Sequence, residues 1–451
     1  MKYYSTNLNT EPVSFSEALL KGLAPDRGLF LPESIPVFDS ETIGSFSEKA
    51  YHQIAYEVMI QYLKGDIAEE ALRALAEEAY NYEVPLEHVI DNRFILRLDR
   101  GPTASFKDFA ARMMGRLMNY YLQQQQRNLL ILTATSGDTG SAIANAFYGL
   151  DNINVVVLFP EQEVTPRQRK QMTTLGKNIQ IITIDGKFDD CQTLVKEAFA
   201  DPALDALNLS SANSINIGRL IPQIVYYFWA FARLRSGDAG DTLIFSVPSG
   251  NFGDMMGGML AKRMGLPVKK FIIAVNENDE FPVFLNTGKY EKIDPSRNCL
   301  SSAMNVGHPS NLSRLVALYN GIMDEKGFIH KAPDFKAMHN DIFAVSVTDA
   351  ATKQTIKETW DNYKVLLEPH GAVGWKGLSE YLKTTDESAG QLIVSLETAH
   401  PAKFPEAINE ILRIDPELPE SLKGLDDRPE FINTIDNSYD AFKKYLLEQY
   451  R

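Results

Sequence analysis

Cysteine is nearly absent: Cys191 and Cys299 are the only two in 451 residues, with no CxxC spacing and no His-rich tract beside them. That excludes a disulfide framework, gives no signal of a zinc site and fits a reducing compartment. Long apolar runs are missing as well. The apolar stretch 224–232 falls far short of the roughly 18 residues that a spanning helix needs. Residues 1–14 lack the basic-then-apolar profile of a secretory signal. A cytoplasmic protein without membrane contact is expected. Positive charge is in deficit, with 45 Lys and Arg against 59 Asp and Glu and a formal net charge of −14. A polyanion is repelled by such a surface, which speaks against nucleic acid as a partner. Four fingerprints are absent too: there is no GxGxxG, no loop ending in GKS or GKT, no HExxH among the seven histidines and no GxSxG elbow. Dinucleotide-binding, P-loop, zinc-peptidase and serine-hydrolase readings lose their usual support.

What is present is an ordinary globular composition, 44% hydrophobic and 23% charged, in a chain long enough for two or three domains. From about Arg93 onward, short β-branched runs at 128–133, 154–159, 179–183, 242–247, 271–275 and 391–396 predict strands. Between them, 141–149, 167–175, 189–199, 219–235 and 254–265 carry apolar residues at helical spacing. Strict alternation with continuous apolar strands predicts parallel sheets covered on both faces, with ligands at the carboxyl ends of the strands. The first ninety residues read differently, with helical patterns at 46–63 and 67–79; 276–336 has weak periodicity and reads as a long excursion; the tail from Asp415 ends in a predicted helix at 439–449. The expected division is a mostly helical region 1–92, a large α/β domain made of 93–122 and 212–414, a small inserted α/β domain 123–211 and an extension 415–451.

Motifs directly after strands carry the chemistry in such a fold. Gly101-Pro-Thr-Ala-Ser-Phe-Lys107-Asp-Phe places one lysine after a glycine-containing turn, between two phenylalanines. A lysine kept among apolar groups loses its proton and becomes an amine for a Schiff base; a solvated lysine opening a helix explains the same letters. Thr133-Ala-Thr-Ser136-Gly-Asp138-Thr139-Gly-Ser is either an anion seat or a helix start capped by Ser136 or Asp138. Ser246-Val-Pro-Ser-Gly250-Asn251-Phe252-Gly253-Asp254 repeats strand, glycine loop and helix, where successive amides can converge on a phosphate or simply turn the chain. Asn213-Ser214-Ile-Asn216-Ile-Gly-Arg219 sets amides and hydroxyls before an arginine whose planar fork suits phosphate or carboxylate. Leu396-Glu-Thr398-Ala-His400-Pro-Ala-Lys403 and Glu368-Pro-His370 contain histidines that read more simply as packed residues than as acid–base groups.

Together, in this order along the chain, the Lys107, Ser136–Gly140, Asn213–Arg219, Gly250–Asp254 and Glu397–Lys403 motifs closely resemble threonine synthase, a pyridoxal-phosphate enzyme of fold-type II. Tyr4-Ser-Thr and Ala24-Pro-Asp-Arg-Gly-Leu-Phe-Leu-Pro32 resemble the N-terminal region of that family, so the likeness spans nearly the whole chain. The resemblance implies two parallel-sheet α/β domains plus a helical N-terminal region, with pyridoxal 5′-phosphate held between the domains. It implies Lys107 as the catalytic lysine that binds the cofactor. Asp138, Gly250, Asn251, Phe252, Gly253, Asp254 and Thr398 are implied as cofactor-binding, the glycine loop on the phosphate and the Thr398 hydroxyl on the pyridine nitrogen. Ser136 and Thr139 match the grip on the substrate α-carboxylate, and Asn213, Ser214 and Arg219 the substrate-phosphate site. No metal is implied. The implied reaction turns O-phospho-L-homoserine and water into L-threonine and phosphate, the last step of threonine biosynthesis, in a monomer or a homodimer whose cleft closes on substrate.

The wider group commonly has Asn where Asp138 stands, near the phenolic oxygen of the cofactor. Two anions there repel, so Asp138 either shares a proton with that oxygen or turns away to cap its helix. Asp254 is expected to cap its own helix. A phospholyase or dehydratase that releases a keto acid, and a catalytically silent relative used as a binding module, are the competing readings.

Overall fold

The β-branched runs form two parallel sheets because their strands have no solvent face: every residue of Leu129–Ala134 and of Leu243–Pro248 is buried, which leaves both faces to be covered by helices. The computed structural model describes residues 1–135, 137–161, 164, 166–236, 241–385 and 391–450. The small sheet runs Asn433–Thr434, Ile179–Ile184, Ile153–Pro160, Leu129–Ala134, Leu209–Ser210, with every neighbouring pair parallel. The large sheet runs Ile342–Ser346, Val268–Val275, Leu243–Pro248, Leu392–Glu397, Arg93–Arg97, Leu86–Ile90; only the last pair is antiparallel. After Leu243–Pro248 the chain moves outward to Val268–Val275, whereas Leu392–Glu397 joins on the other side. The order therefore reverses between Leu243–Pro248 and Leu392–Glu397, and a crevice at their carboxyl ends is where open α/β sheets bind ligands.

Several elements depart from the sequence reading. The helix expected over 219–235 is three pieces, Ile217–Leu220, a 3-10 turn Ile221–Ile224 and Val225–Leu234. Pro222 lacks the N–H that a continuous helix requires. Leu86–Ile90 is an edge strand of the large sheet ahead of the boundary expected at Arg93, and its Glu87 and His88 hide the strand pattern. Within the 415–451 tail, Asn433–Thr434 adds a strand to the small sheet, and Phe442 and Leu446 of the helix Tyr439–Tyr450 join that domain's core.

Packing around Phe109 anchors the helix Lys107–Gln125 to the N-terminal helices. Its ring centroid lies 5.5 Å from Tyr51, 5.2 Å from Tyr82 and 5.7 Å from Tyr226. Aromatic pairs of this kind contribute about 0.5–1.5 kcal/mol each beyond area burial. Arg112, one turn on, donates to Ala79 O at 2.7 Å and Glu78 O at 3.0 Å. The helical N-terminal region thus acts as a brace that fixes where the first residue of this helix, Lys107, stands. Among the described residues no helix is long and apolar enough to cross a membrane.

Candidate active site

Lys107 opens its helix directly after a turn tied to the carboxyl end of the strand Leu392–Glu397: Phe106 N donates to Thr398 O at 2.8 Å and His400 N to Ala104 O at 3.0 Å. The turn itself is held by Asp108, which accepts from Thr103 N at 2.9 Å and Thr103 Oγ1 at 2.7 Å. Only 13% of the Lys107 side chain is exposed. Burial pulls its ammonium below the usual lysine range; Asp138 opposes that, while Lys403 and Arg219 reinforce it.

Asp138 is buried at the start of the helix Asp138–Phe147, and its carboxylate is occupied twice. Oδ1 lies 2.6 Å from Lys403 Nζ and accepts from Gln168 Nε2 at 3.0 Å, while Oδ2 lies 3.9 Å from Lys107 Nζ. Although burial disfavours its charge, the two lysines hold this carboxyl far below the usual range. The expectation that Asp138 turns away to cap its helix is not met. Its helix is capped instead by Thr135 Oγ1, which accepts from Gly137 N at 3.0 Å and Gly140 N at 2.9 Å, leaving Asp138 free to face the lysines. Thr139 follows, partly exposed at the helix start; Ser136 lies outside the described residues.

Phe252, at φ 63°, turns the loop after Leu243–Pro248 into the helix Gly253–Arg263. No acceptor among the described residues takes the N–H groups of Gly250, Asn251, Phe252 or Gly253. A Cβ on Gly250 would lie 3.0 Å from Met304 Cα, so a side chain here would force the neighbouring backbone to shift by a few tenths of an ångström. Asp254 does bind at its helix start, accepting from Met255 N at 2.8 Å, and burial raises its carboxyl to about 6.

The Asn213–Arg219 stretch lies against this loop. Arg219 is buried, donates to Ala212 O at 2.8 Å, leaves Nε without a partner and makes no ion pair among the described residues. Burial lowers its guanidinium to about 10. Asn213 Oδ1 is likewise buried without a partner, and Ser214 Oγ lies 3.0 Å from Ser310 Oγ. Two residues that the sequence reading missed hold the two loops together. Asn311 Nδ2 donates to Asn251 O at 2.9 Å and Ser214 O at 3.2 Å, and the fully buried Arg314 donates to Asn311 Oδ1 at 2.6 Å and Ile215 O at 2.7 Å. Both sit in the weakly periodic 276–336 stretch, where no local pattern signalled them.

Thr398 ends the Leu392–Glu397 strand in a buried position, with Oγ1 3.4 Å from Glu368 Oε1. Behind it Glu368 accepts from Gly371 N at 2.9 Å and pairs with His370 Nδ1 at 2.5 Å, while His370 Nε2 accepts from Ala303 N at 3.0 Å. The imidazole is therefore the Nδ1–H tautomer, locked in packing. Burial brings His400 down to about 4, and its Nδ1 accepts from Ala402 N at 3.2 Å. Both histidines are hydrogen-bonded within the fold. A Cβ at Gly371 would sit 1.6 Å from Glu397 Oε2. Gly371→Ala is expected to cost about 1–3 kcal/mol of stability by overpacking, read as a lower urea midpoint.

Three family models match: "Threonine synthase N terminus" over residues 2–80, "Pyridoxal-phosphate dependent enzyme" over 85–398 and, overlapping its end, "Threonine synthase, C-terminal" over 371–446. A threonine synthase of Serratia marcescens is 39% identical over 448 residues, covering 99% of both chains. The chain belongs to the threonine synthase family. Solved threonine synthases have the same fold: that of Brucella melitensis, described as bound to PLP, superposes with a TM-score of 0.92 at 38% identity over 100% of both chains. That of yeast gives 0.91 at 32% identity, covering 99% of this chain and 98% of the other. As a member of the threonine synthase family, this chain is a pyridoxal-phosphate-dependent enzyme of fold-type II. The residues suit that cofactor. A desolvated amine, a glycine loop with four unclaimed N–H groups and a buried hydroxyl at the crevice match an aldehyde, a phosphate and a ring nitrogen in turn. No group of His, Cys, Asp and Glu among the described residues could hold a metal ion.

Proposed function

We propose that the chain converts O-phospho-L-homoserine and water into L-threonine and phosphate, completing threonine biosynthesis, with the residue roles that follow. Bound in the crevice, pyridoxal phosphate supplies a carbonyl for the substrate amine and a conjugated ring that draws electrons from the α-carbon. Lys107 is the attachment point and, uncharged, moves protons at the substrate carbons. The N–H groups of loop 250–253 hold the cofactor phosphate, Asp254 remains on its helix start, and the Thr398 hydroxyl faces the ring nitrogen. Ser136 and Thr139 take the substrate α-carboxylate at a helix N-terminus. Asn213, Ser214 and Arg219 take the substrate phosphate and keep it close as it leaves Cγ, while water adds at Cβ.

The observation that carries this reading is the buried Arg219, a cation with no ion pair among the described residues and an unclaimed Nε, whose charge disfavours the Lys107 ammonium. A buried unpaired charge is costly unless it awaits an opposite one, and two anion seats around one amine select an amino acid that carries a phosphate. Two cysteines with free thiols fit a cytoplasmic site of action.

Product analysis tests the proposal. The purified protein, reconstituted with pyridoxal phosphate and given O-phosphohomoserine, is expected to release threonine and phosphate in equal amounts. Release of 2-oxobutanoate without threonine would make it a lyase, and no turnover with a bound cofactor would make it a binding module.

A further inference from the structure

Asp138 offers its two oxygens to two different lysines, and the two distances differ in kind. Lys403 Nζ, on a side chain that is 0% exposed, is 2.6 Å from Oδ1 and also donates to Thr103 O at 2.9 Å. Lys107 Nζ is 3.9 Å from Oδ2, beyond hydrogen-bond reach. We propose that Lys403 is a positioning residue of the reaction: seated on Asp138, it takes that carboxylate as its own counter-ion and leaves Lys107 as the uncharged lysine of the pair. The proposal rests on Lys107 being the lysine that takes the cofactor, and it adds a residue that acts through Asp138.

The argument is one of charge balance in a buried site. Lys403 Nζ lies between two acceptors, a carboxylate oxygen at 2.6 Å and a carbonyl at 2.9 Å, and the short contact to the carboxylate has the length of a charge-assisted pair. One carboxylate offsets one ammonium. A second ammonium on Lys107 would leave an uncompensated positive charge in a site that Arg219 already faces, and burial penalises such an excess. The remaining groups around the two amines do not reverse this. Asp254, which burial raises to about 6, is still mostly ionised at neutral pH; its charge is matched in the balance by that of Arg219, so it leaves none for a second ammonium. On the Lys403 side, Asp108 is engaged by Thr103, and His400 is neutral, lowered to about 4 by burial and then by nearby cations. Gln168 Nε2, donating to Oδ1 at 3.0 Å, fixes the carboxylate plane so that its second oxygen stays turned to Lys107. The arrangement also answers the difficulty of an aspartate where the wider group has asparagine: Asp138 with Lys403 is a neutral unit, and the cofactor meets no bare anion.

The decisive variant is Lys403→Gln, which keeps a donor for both acceptors and removes the charge. It is made alone and with Asp138→Asn in the full-length protein. The reactivity of the Lys107 amine toward acetic anhydride is followed across pH by peptide mapping on cofactor-free protein, and the pH dependence of visible absorbance is followed after reconstitution. With Lys403 neutral, Asp138 becomes the counter-ion of Lys107. The midpoint of Lys107 reactivity is then expected to rise by about one to three pH units, roughly a tenfold or greater loss of reactive amine at neutral pH. Adding Asp138→Asn reverses the rise. A purely structural role lowers the melting temperature without moving the midpoint. The parent protein supplies the control: borohydride reduction and mapping of the adduct to any residue but Lys107 removes the cofactor reading itself. An adduct at Lys107, with a midpoint that stays in place in Lys403→Gln or a rise that Asp138→Asn does not reverse, overturns the role of Lys403 alone.

Discussion

Lys107→Ala protein, mixed with pyridoxal phosphate, shows no visible absorbance band that survives gel filtration, and its turnover of O-phosphohomoserine falls by roughly 10²- to 10⁴-fold from the loss of proton transfer alone. The expectation follows from how the amine is presented. Lys107 stands at the first position of its helix with its side chain enclosed, next to the Phe106 ring, whose centroid is 4.8 Å from Nζ. Desolvation disfavours its ammonium, so at neutral pH it is available to a carbonyl in a way that a solvated lysine is not. The fold should survive, because alanine suits a helix start and the anchoring contacts belong to Phe109 and Arg112. A retained band in this variant would mean that another amine holds the cofactor, and the assignment of the whole site would fall with it.

Arg219→Ala separates substrate from cofactor. The cofactor band is expected to remain, because the loop 250–253 proposed for the cofactor phosphate does not depend on the guanidinium for any of its own hydrogen bonds among the described residues. Turnover of O-phosphohomoserine should fall by about 2–4 kcal/mol in transition-state stabilisation, roughly 30- to 1,000-fold, as when one charged donor is taken from a desolvated anion site. The effect should appear in kcat as well as KM, since phosphate is also the leaving group. Arg219→Lys should recover part of it, as a point charge without the planar fork. Kinetics equal to the parent's would remove Arg219 from the substrate site and return that site to open question between Asn213 and Ser214.

Much of this site was legible as local pattern. Glycine after an apolar strand and before a helix, in Ser249-Gly250-Asn251-Phe252-Gly253, means unclaimed amides at a helix start whatever surrounds them. The parallel sheets were legible for the same reason: continuous β-branched runs cannot have a wet face. The misses share a cause. Leu86–Ile90 takes its strand conformation from pairing with Arg93–Arg97 and not from its own alternation. Arg314 and Asn311 matter because they reach Ile215, Ser214 and Asn251, partners 60 to 99 residues away that no short window along the chain contains. Lys403 was visible as a letter in the Glu397–Lys403 motif, yet its partner is Asp138.

The chain alone determined the class of chemistry: which side chains are present, in which turns, and that a lysine, two glycine-bearing anion loops and a terminal strand hydroxyl occur in one order. Tertiary structure decided how Asp138 is divided between two lysines. Protonation in a buried site depends on the distances and signs of all neighbouring charges at once, and the 2.6 Å and 3.9 Å that divide Asp138 between Lys403 and Lys107 arise only when two domains and the end of a distant strand close on one another.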